Sequence, residues 1–147
     1  KRHGGLLSWS YCEKHKIDIP NPGGGNLSRN LDEMRNLQDY VRLSFTTEHP
    51  MMYVAMKDGR ISNPVILRID PSVVYLQHTM YADMNATTTK RTPNIGKSLE
   101  DFKKIHFSTV KAHKHFDLDE NERPYFQAEV MVMTFIPKKY IINLDTF

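Results

Sequence analysis

The chain has 147 residues, 39% of them hydrophobic, 25% charged and 10% aromatic, with a net charge of +3. That is room for one compact domain with its own core over residues 1–147, and it excludes both a two-domain protein and a disordered tail. No run reaches the roughly 18 consecutive apolar residues of a membrane span, and Cys12, the one cysteine, excludes an intrachain disulfide and a cysteine-based zinc cage.

The opening Lys1-Arg2-His3-Gly4-Gly5 resembles a helix end, with cations in the last turn and Gly just past it. A first strand and helix are therefore expected ahead of Lys1, and no signal-peptide pattern is present. Residues 19–26 (IPNPGGGN) are expected as loop. Leu27, Leu31, Met34 and Leu37 recur at helical spacing and predict a short amphipathic helix. Val41–Phe45 alternates and predicts a strand. Thr46 or Thr47 is expected to cap a helix over Met51–Met56 that Pro50 helps to start. Asp58-Gly59 marks a turn.

Val65–Ile69 and Val73–Leu76 are each expected as strands, and Thr87–Asn94 as polar loop. Ser98 is expected to cap a helix over Leu99–Ile105, with Glu100 and Asp101 in its first turn, where the dipole favours acids. Asp117–Pro124 reads as an acidic loop. Phe126–Phe135 is the strongest strand pattern, and Tyr140–Leu144 predicts a last strand. Many short strands with few short helices indicate an α+β fold, with a small mixed or antiparallel sheet.

The charge is localised. Between Thr87 and Phe116 lie Lys90, Arg91, Lys97, Lys103, Lys104, Lys111 and Lys114 against Glu100 and Asp101, a net +5 that leaves −2 for the remaining 117 residues. Such a block indicates either a polyanion partner or a solvated positive face. Several motifs exclude themselves. Gly96-Lys97-Ser98 ends like a phosphate-binding loop, but Arg91 occupies the place of its first glycine. Gly23–Gly25 lacks a dinucleotide fingerprint and follows no strand. His113 and His115 have no cysteine or HExxH partner, so no metal is expected.

Glu129 interrupts a strand otherwise made for burial, with Ala128, Val130 and Val132 on one face and Gln127, Glu129 and Met131 on the other. Either that second face meets solvent or the glutamate lines a cleft, because a carboxylate buried unpaired is costly.

Asp39-Tyr-Val-Arg-Leu-Ser-Phe45, His49-Pro-Met-Met-Tyr53, Asp83-Met-Asn-Ala86 and Gln127-Ala-Glu129-Val, in that order, resemble the DarT family from about Leu6 to Leu144. These are NAD-dependent DNA ADP-ribosyltransferases, the toxins of bacterial toxin–antitoxin pairs. The resemblance implies a split, mixed-sheet ADP-ribosyltransferase core with Glu129 as the catalytic glutamate. It would stabilise the oxocarbenium-like ribose that forms as the nicotinamide bond breaks.

The family also uses an arginine on the segment before the D-Y-V strand. Arg29 is the candidate for holding NAD and activating the acceptor base, with Arg35 as competitor. Ser44 and Phe45 would end the strand beside the NAD pocket, and Tyr53 would wall the nicotinamide, although core packing explains Phe45 and Tyr53 equally well. The basic block and Arg123-Pro-Tyr125 would form the nucleic-acid cleft: Lys90, Arg91, Lys103 and Lys104 on phosphates, Arg123 beside them, and Tyr125 stacked on an unpaired base.

Single-stranded DNA is the expected substrate, since a base within a duplex cannot present its ring nitrogen. A cytoplasmic toxin or phage-defence role with a cognate antitoxin partner follows. The family's opening strand, with a His-x-Thr-type motif for the nicotinamide ribose, is expected before Lys1, and His3 does not replace it. A non-catalytic nucleic-acid-binding domain, or transfer to RNA or protein, are the alternatives that composition leaves open.

Overall fold

A computed structural model describes residues 3–19 and 26–146. The Pro- and Gly-rich run 20–25 and the opening Lys1-Arg2 lie outside them. The chain divides into two compact units, one of Lys1–Val41, Val65–Thr79 and Val132–Phe147, the other of Arg42–Pro64 and Met80–Met131.

In the first unit, Gly5–Leu7 forms β1, so Gly4-Gly5 leads into a strand rather than closing a helix. β1 runs antiparallel to β6, Phe135–Pro137, with Leu6 opposite Ile136. Trp9–Lys14 forms α1, capped by the Ser8 hydroxyl, and Asn26–Met34 forms α2. Both helices end with a residue at positive φ, Lys16 and Asn36. The next amides, of Ile17 and Leu37, then reach back to the carbonyls of Cys12 and Asp32, the bond that closes a helix C-terminus. Leu37 is buried past this stop, whereas Met34, placed on the same stripe by the sequence, is exposed.

Tyr40–Ser44 forms β2, which continues into the second unit. There Pro50–Lys57 forms α3; its cap is the His49 imidazole, which accepts from the Met51 amide, and not Thr46 or Thr47. Met80–Ala82, Ile95–Gly96 and Glu129–Met133 form β3, β4 and β5, in a four-stranded sheet of order β2-β5-β3-β4. β3 is antiparallel to both β4 and β5 and pairs Ala82 with Glu129. Leu99–Lys103 forms α4, opened by a reciprocal capping box between Ser98 and Asp101. Phe107–Val110 forms α5. Ile105, Val110 and Ala128 make the buried centre of this unit, with Phe45, Tyr81, Phe102 and Phe107 packed around it.

Three expected strands are corrected. Val65–Ile69 makes only an isolated bridge from Ile69 to Ile141, and Val65 and Ile66 are exposed. Val73–Leu76 lies largely in a 3-10 turn, Pro71–Tyr75, because Asp70 caps it and Pro71 starts it. Tyr140–Leu144 is not a strand: Ile142 N–H donates to the Arg68 carbonyl and the Asn143 side-chain Nδ2 donates to the Ile66 carbonyl. The long strand Phe126–Phe135 is also broken. Arg123–Gln127 is a 3-10 turn, and Thr134 at φ +66 ends β5 before β6 begins.

Candidate active site

Glu129 opens β5, and Glu129–Val132 are all buried, so neither face of the strand meets water over these residues. The residue is 6% exposed and is the one buried charged residue among those described. Its carboxylate is met by the Arg42 guanidinium from the neighbouring β2. Arg42 Nη2 donates to Oε2 at 2.7 Å and to Oε1 at 2.9 Å, and Nε donates to Oε1 at 3.2 Å. The Ala86 amide donates to Oε2 at 2.9 Å. Charge-assisted bonds of this kind make a buried carboxylate tolerable.

Arg42 is held by other partners as well. Nη2 donates to Asn85 Oδ1 at 3.0 Å and Nη1 to Thr87 Oγ1 at 3.2 Å. Asn85 Oδ1 in turn accepts the Thr87 amide and hydroxyl, each at 2.9 Å. Asn85-Ala86-Thr87 follows β3, the strand that pairs with β5, so one short segment supports both members of the ion pair. Burial, and then the positive charge of Arg42, hold the His49 imidazole below its ordinary range, so His49 is neutral near pH 7.

The other residues singled out in the sequence are distributed as follows. Phe45 packs edge-on against Phe107 in the core of the second unit. Ser44 is exposed and its hydroxyl accepts the Thr46 amide. Tyr53 is half-exposed, and its hydroxyl donates to Glu48, which raises the phenol pKa. Arg29 lies on α2 in the first unit, its guanidinium 3.4 Å from the centre of the Trp9 ring. Its Nε is buried with no hydrogen-bond partner. Such an orphaned donor suits a ligand with anionic oxygens, as NAD brings. Arg35 follows α2, and its amide bonds to the Leu31 carbonyl.

The six residues expected at nucleic acid all fall in the second unit, with Glu129. Lys90 is exposed. Arg91 donates to the Asn121 carbonyl at 3.3 Å, and Arg123 to the Leu118 carbonyl at 3.0 Å. Lys103 pairs with Glu100 and Lys104 with Asp101, and Lys104 also donates to Asn94. Tyr125 is stacked on His106, with rings 3.8 Å apart and 5° from parallel. The Glu122 carboxylate joins this cluster through the Thr109 hydroxyl at 2.6 Å and His106 Nδ1 at 3.3 Å, and these contacts hold its pKa below the usual range. Among the described residues, no group of three or more His, Cys, Asp or Glu side chains is placed to hold a metal.

Arg42 and its supports Asn85 and Thr87 escaped the sequence reading, although the signal was present. It lies in Glu129: a carboxylate inside an apolar strand requires a counter-charge, and Arg42, at a polar position of the neighbouring strand, is the cation that supplies it.

A family model for ssDNA thymidine ADP-ribosyltransferase, DarT, matches residues 2–146. Thermus sp. 2.9 DarT in complex with NAD+ superposes with a TM-score of 0.62 at 20% identity, covering 95% of this chain and 71% of that one. The same protein in complex with ADP-ribosylated ssDNA gives 0.61 at 19% identity, with the same coverage. Thermosipho africanus DarTG in complex with ADP-ribose gives 0.71 at 18% identity, over 92% of this chain and 37% of that one. No curated protein sequence matches the chain. These likenesses are of fold, and they bear out the α+β expectation.

Proposed function

The chain belongs to the DarT family of NAD-dependent, single-stranded DNA thymidine ADP-ribosyltransferases, and on that premise we propose that Glu129 is its catalytic carboxylate and thymidine its acceptor. NAD, when bound, supplies an ADP-ribosyl group on a cleavable nicotinamide bond. Glu129 accepts a hydroxyl of the adjoining ribose and offers fixed negative charge where positive charge develops as that bond breaks. The single observation that supports this is the burial of Glu129 at 6% exposure inside a cage of donors. A carboxylate kept rigid and away from bulk water is worth most to a reaction that builds a cation.

Arg29 holds the pyrophosphate, a role supported by its buried, unsatisfied Nε. Ser44, Phe45 and Tyr53 contribute to binding NAD. Lys90, Arg91, Lys103, Lys104 and Arg123 contact the phosphates of the single strand, and Tyr125 stacks on a base; their shared unit with Glu129 supports this. The modified base blocks replication, which makes the protein a bacterial cytoplasmic toxin or defence factor with an antitoxin partner. The DarTG neighbour supports that partner. No described helix is long and apolar enough to cross a membrane.

The test incubates the full-length protein with NAD and short single-stranded oligonucleotides that differ in one base, with mass spectrometry as the readout. Addition of one ADP-ribose to the thymidine-containing strand, lost in Glu129→Gln, is the expected result. Unchanged transfer by Glu129→Gln removes the assignment of Glu129, and transfer to another base removes that of thymidine.

A further inference from the structure

We propose that Arg42 is the positioning residue of the reaction: it fixes the Glu129 carboxylate in its working orientation and acts on substrate only through it. The inference rests on the assignment of Glu129 above.

The geometry separates this role from an incidental ion pair. A surface pair meets at one point and holds neither partner still. Here Nη2 spans both carboxylate oxygens while Nε takes Oε1, so the carboxylate plane is fixed in rotation as well as position. The guanidinium is in turn anchored by Asn85 Oδ1 on Nη2 and by Thr87 Oγ1 on Nη1, and these anchors are braced against each other. The anchoring segment also supplies the Ala86 amide to Oε2. Chains of this form place an acceptor to within a fraction of an ångström, the tolerance that oriented chemistry requires.

The two oxygens are held differently. Oε2 takes a backbone amide that cannot swing away, and Oε1 takes Nε and Nη2 of the Arg42 side chain. The longer of these, Nε at 3.2 Å, is the bond most easily shared with an incoming hydroxyl. Arg42 thereby sets the direction in which Oε1 points.

The experiment measures kcat and the KM for NAD of the full-length protein, Arg42→Met, Arg42→Lys and Glu129→Gln, with and without millimolar guanidinium. Misplacement of a catalytic group costs about 100-fold, so kcat of Arg42→Met should fall by roughly that factor while KM changes less than about threefold. Guanidinium should return at least tenfold of the loss in Arg42→Met and none in Glu129→Gln. Lysine keeps the charge but cannot bridge both oxygens, so Arg42→Lys should lose roughly tenfold in kcat; it carries the test alone if Arg42→Met does not fold.

A loss that guanidinium does not relieve in folded Arg42→Met, or a loss that falls on KM alone, overturns the proposal. So does a kcat at or above that of the parent in either variant, which would make Arg42 a latch over Glu129. Loss of activity in Glu129→Gln with parental kinetics in both Arg42 variants removes this assignment and leaves that of Glu129 intact. Activity in Glu129→Gln removes both.

Discussion

Removing Arg42 should destabilise the protein mainly by stranding a charge. In Arg42→Met the Glu129 carboxylate keeps the Ala86 amide but loses the guanidinium on both oxygens. Breaking a fully buried pair costs about 3–5 kcal/mol, and with the Arg42 side chain 20% exposed and the amide retained the lower end, about 3 kcal/mol, applies. Glu129→Gln keeps an acceptor for Ala86 and loses the charge, so its cost is that of a charged hydrogen bond, about 1.5 kcal/mol. The double variant has no charge left to strand and should cost no more than Arg42→Met alone, a coupling of about 1.5 kcal/mol or more. For a chain of this length Arg42→Met should lower Tm by roughly 10 °C, at about 3 °C per kcal/mol. Urea unfolding followed by far-UV circular dichroism, with Tm from calorimetry, measures all four corners of the cycle. An Arg42→Met cost below about 0.5 kcal/mol, or strict additivity, would refute the claim that the pair is a buried and mutually dependent unit.

Three further outcomes follow from other parts of the molecule. His49 is held neutral by burial and by Arg42, so the unfolded chain binds more protons below its ordinary pKa near 6.5, and stability should fall as pH drops below that value. His49→Asn keeps a side-chain cap for α3 and should flatten this slope in denaturation curves between pH 7 and 5, with an unchanged slope counting against the argument. Asp101, held at about 2 chiefly by the Ser98 hydroxyl and Asn94, stabilises the start of α4 above its ordinary 3.8, and this contribution is lost as pH falls toward 2. Ser98→Ala should move the Asp101 carboxyl titration, read by NMR, upward toward 3.8. Finally, a Cβ on Gly5 would lie 2.0 Å from the Ile136 carbonyl oxygen, so Gly5→Ala should part β1 from β6 and cost about 1–3 kcal/mol, seen in chemical denaturation and in lost exchange protection of the Lys138 and Ser8 amides, which donate to the Gly4 and Thr134 carbonyls.

The elements whose causes are local were legible in the sequence. Ser98 with Asp101 three residues on, Pro50 at a helix start and Asp58-Gly59 at its end each specify their geometry through neighbouring atoms. The misread segments depend on distant partners. Val65–Ile69 has strand composition, but its backbone is met by the Asn143 side chain at Arg68 and Ile66, so no ladder forms. Asp70-Pro71 outweighed the β-branched pair Val73-Val74 because a capped turn is settled within a few residues, whereas a strand needs a neighbour. Thr134 carries no sign of its left-handed backbone, a conformation its branched side chain disfavours. At the site, Glu129 stood out because its charge breaks an apolar pattern. Arg42 falls at a polar position of a regular alternation, where a charge carries no signal of burial.

The 3-10 turn bearing Arg123 and Tyr125 ends at Gln127, and Ala128 alone separates it from Glu129. Ala128 is fully buried, and so is Phe126 within the turn. This stretch cannot absorb an insertion or deletion, because a shift of one residue would turn Glu129 to the opposite face of β5. Length changes meet less packing upstream, in the exposed stretch Asp119–Asn121, while the four residues leading into Glu129 are open to substitution only. The spacing between this turn and the glutamate is therefore set by packing and strand register, and exchanging the side chains within the turn leaves that spacing intact.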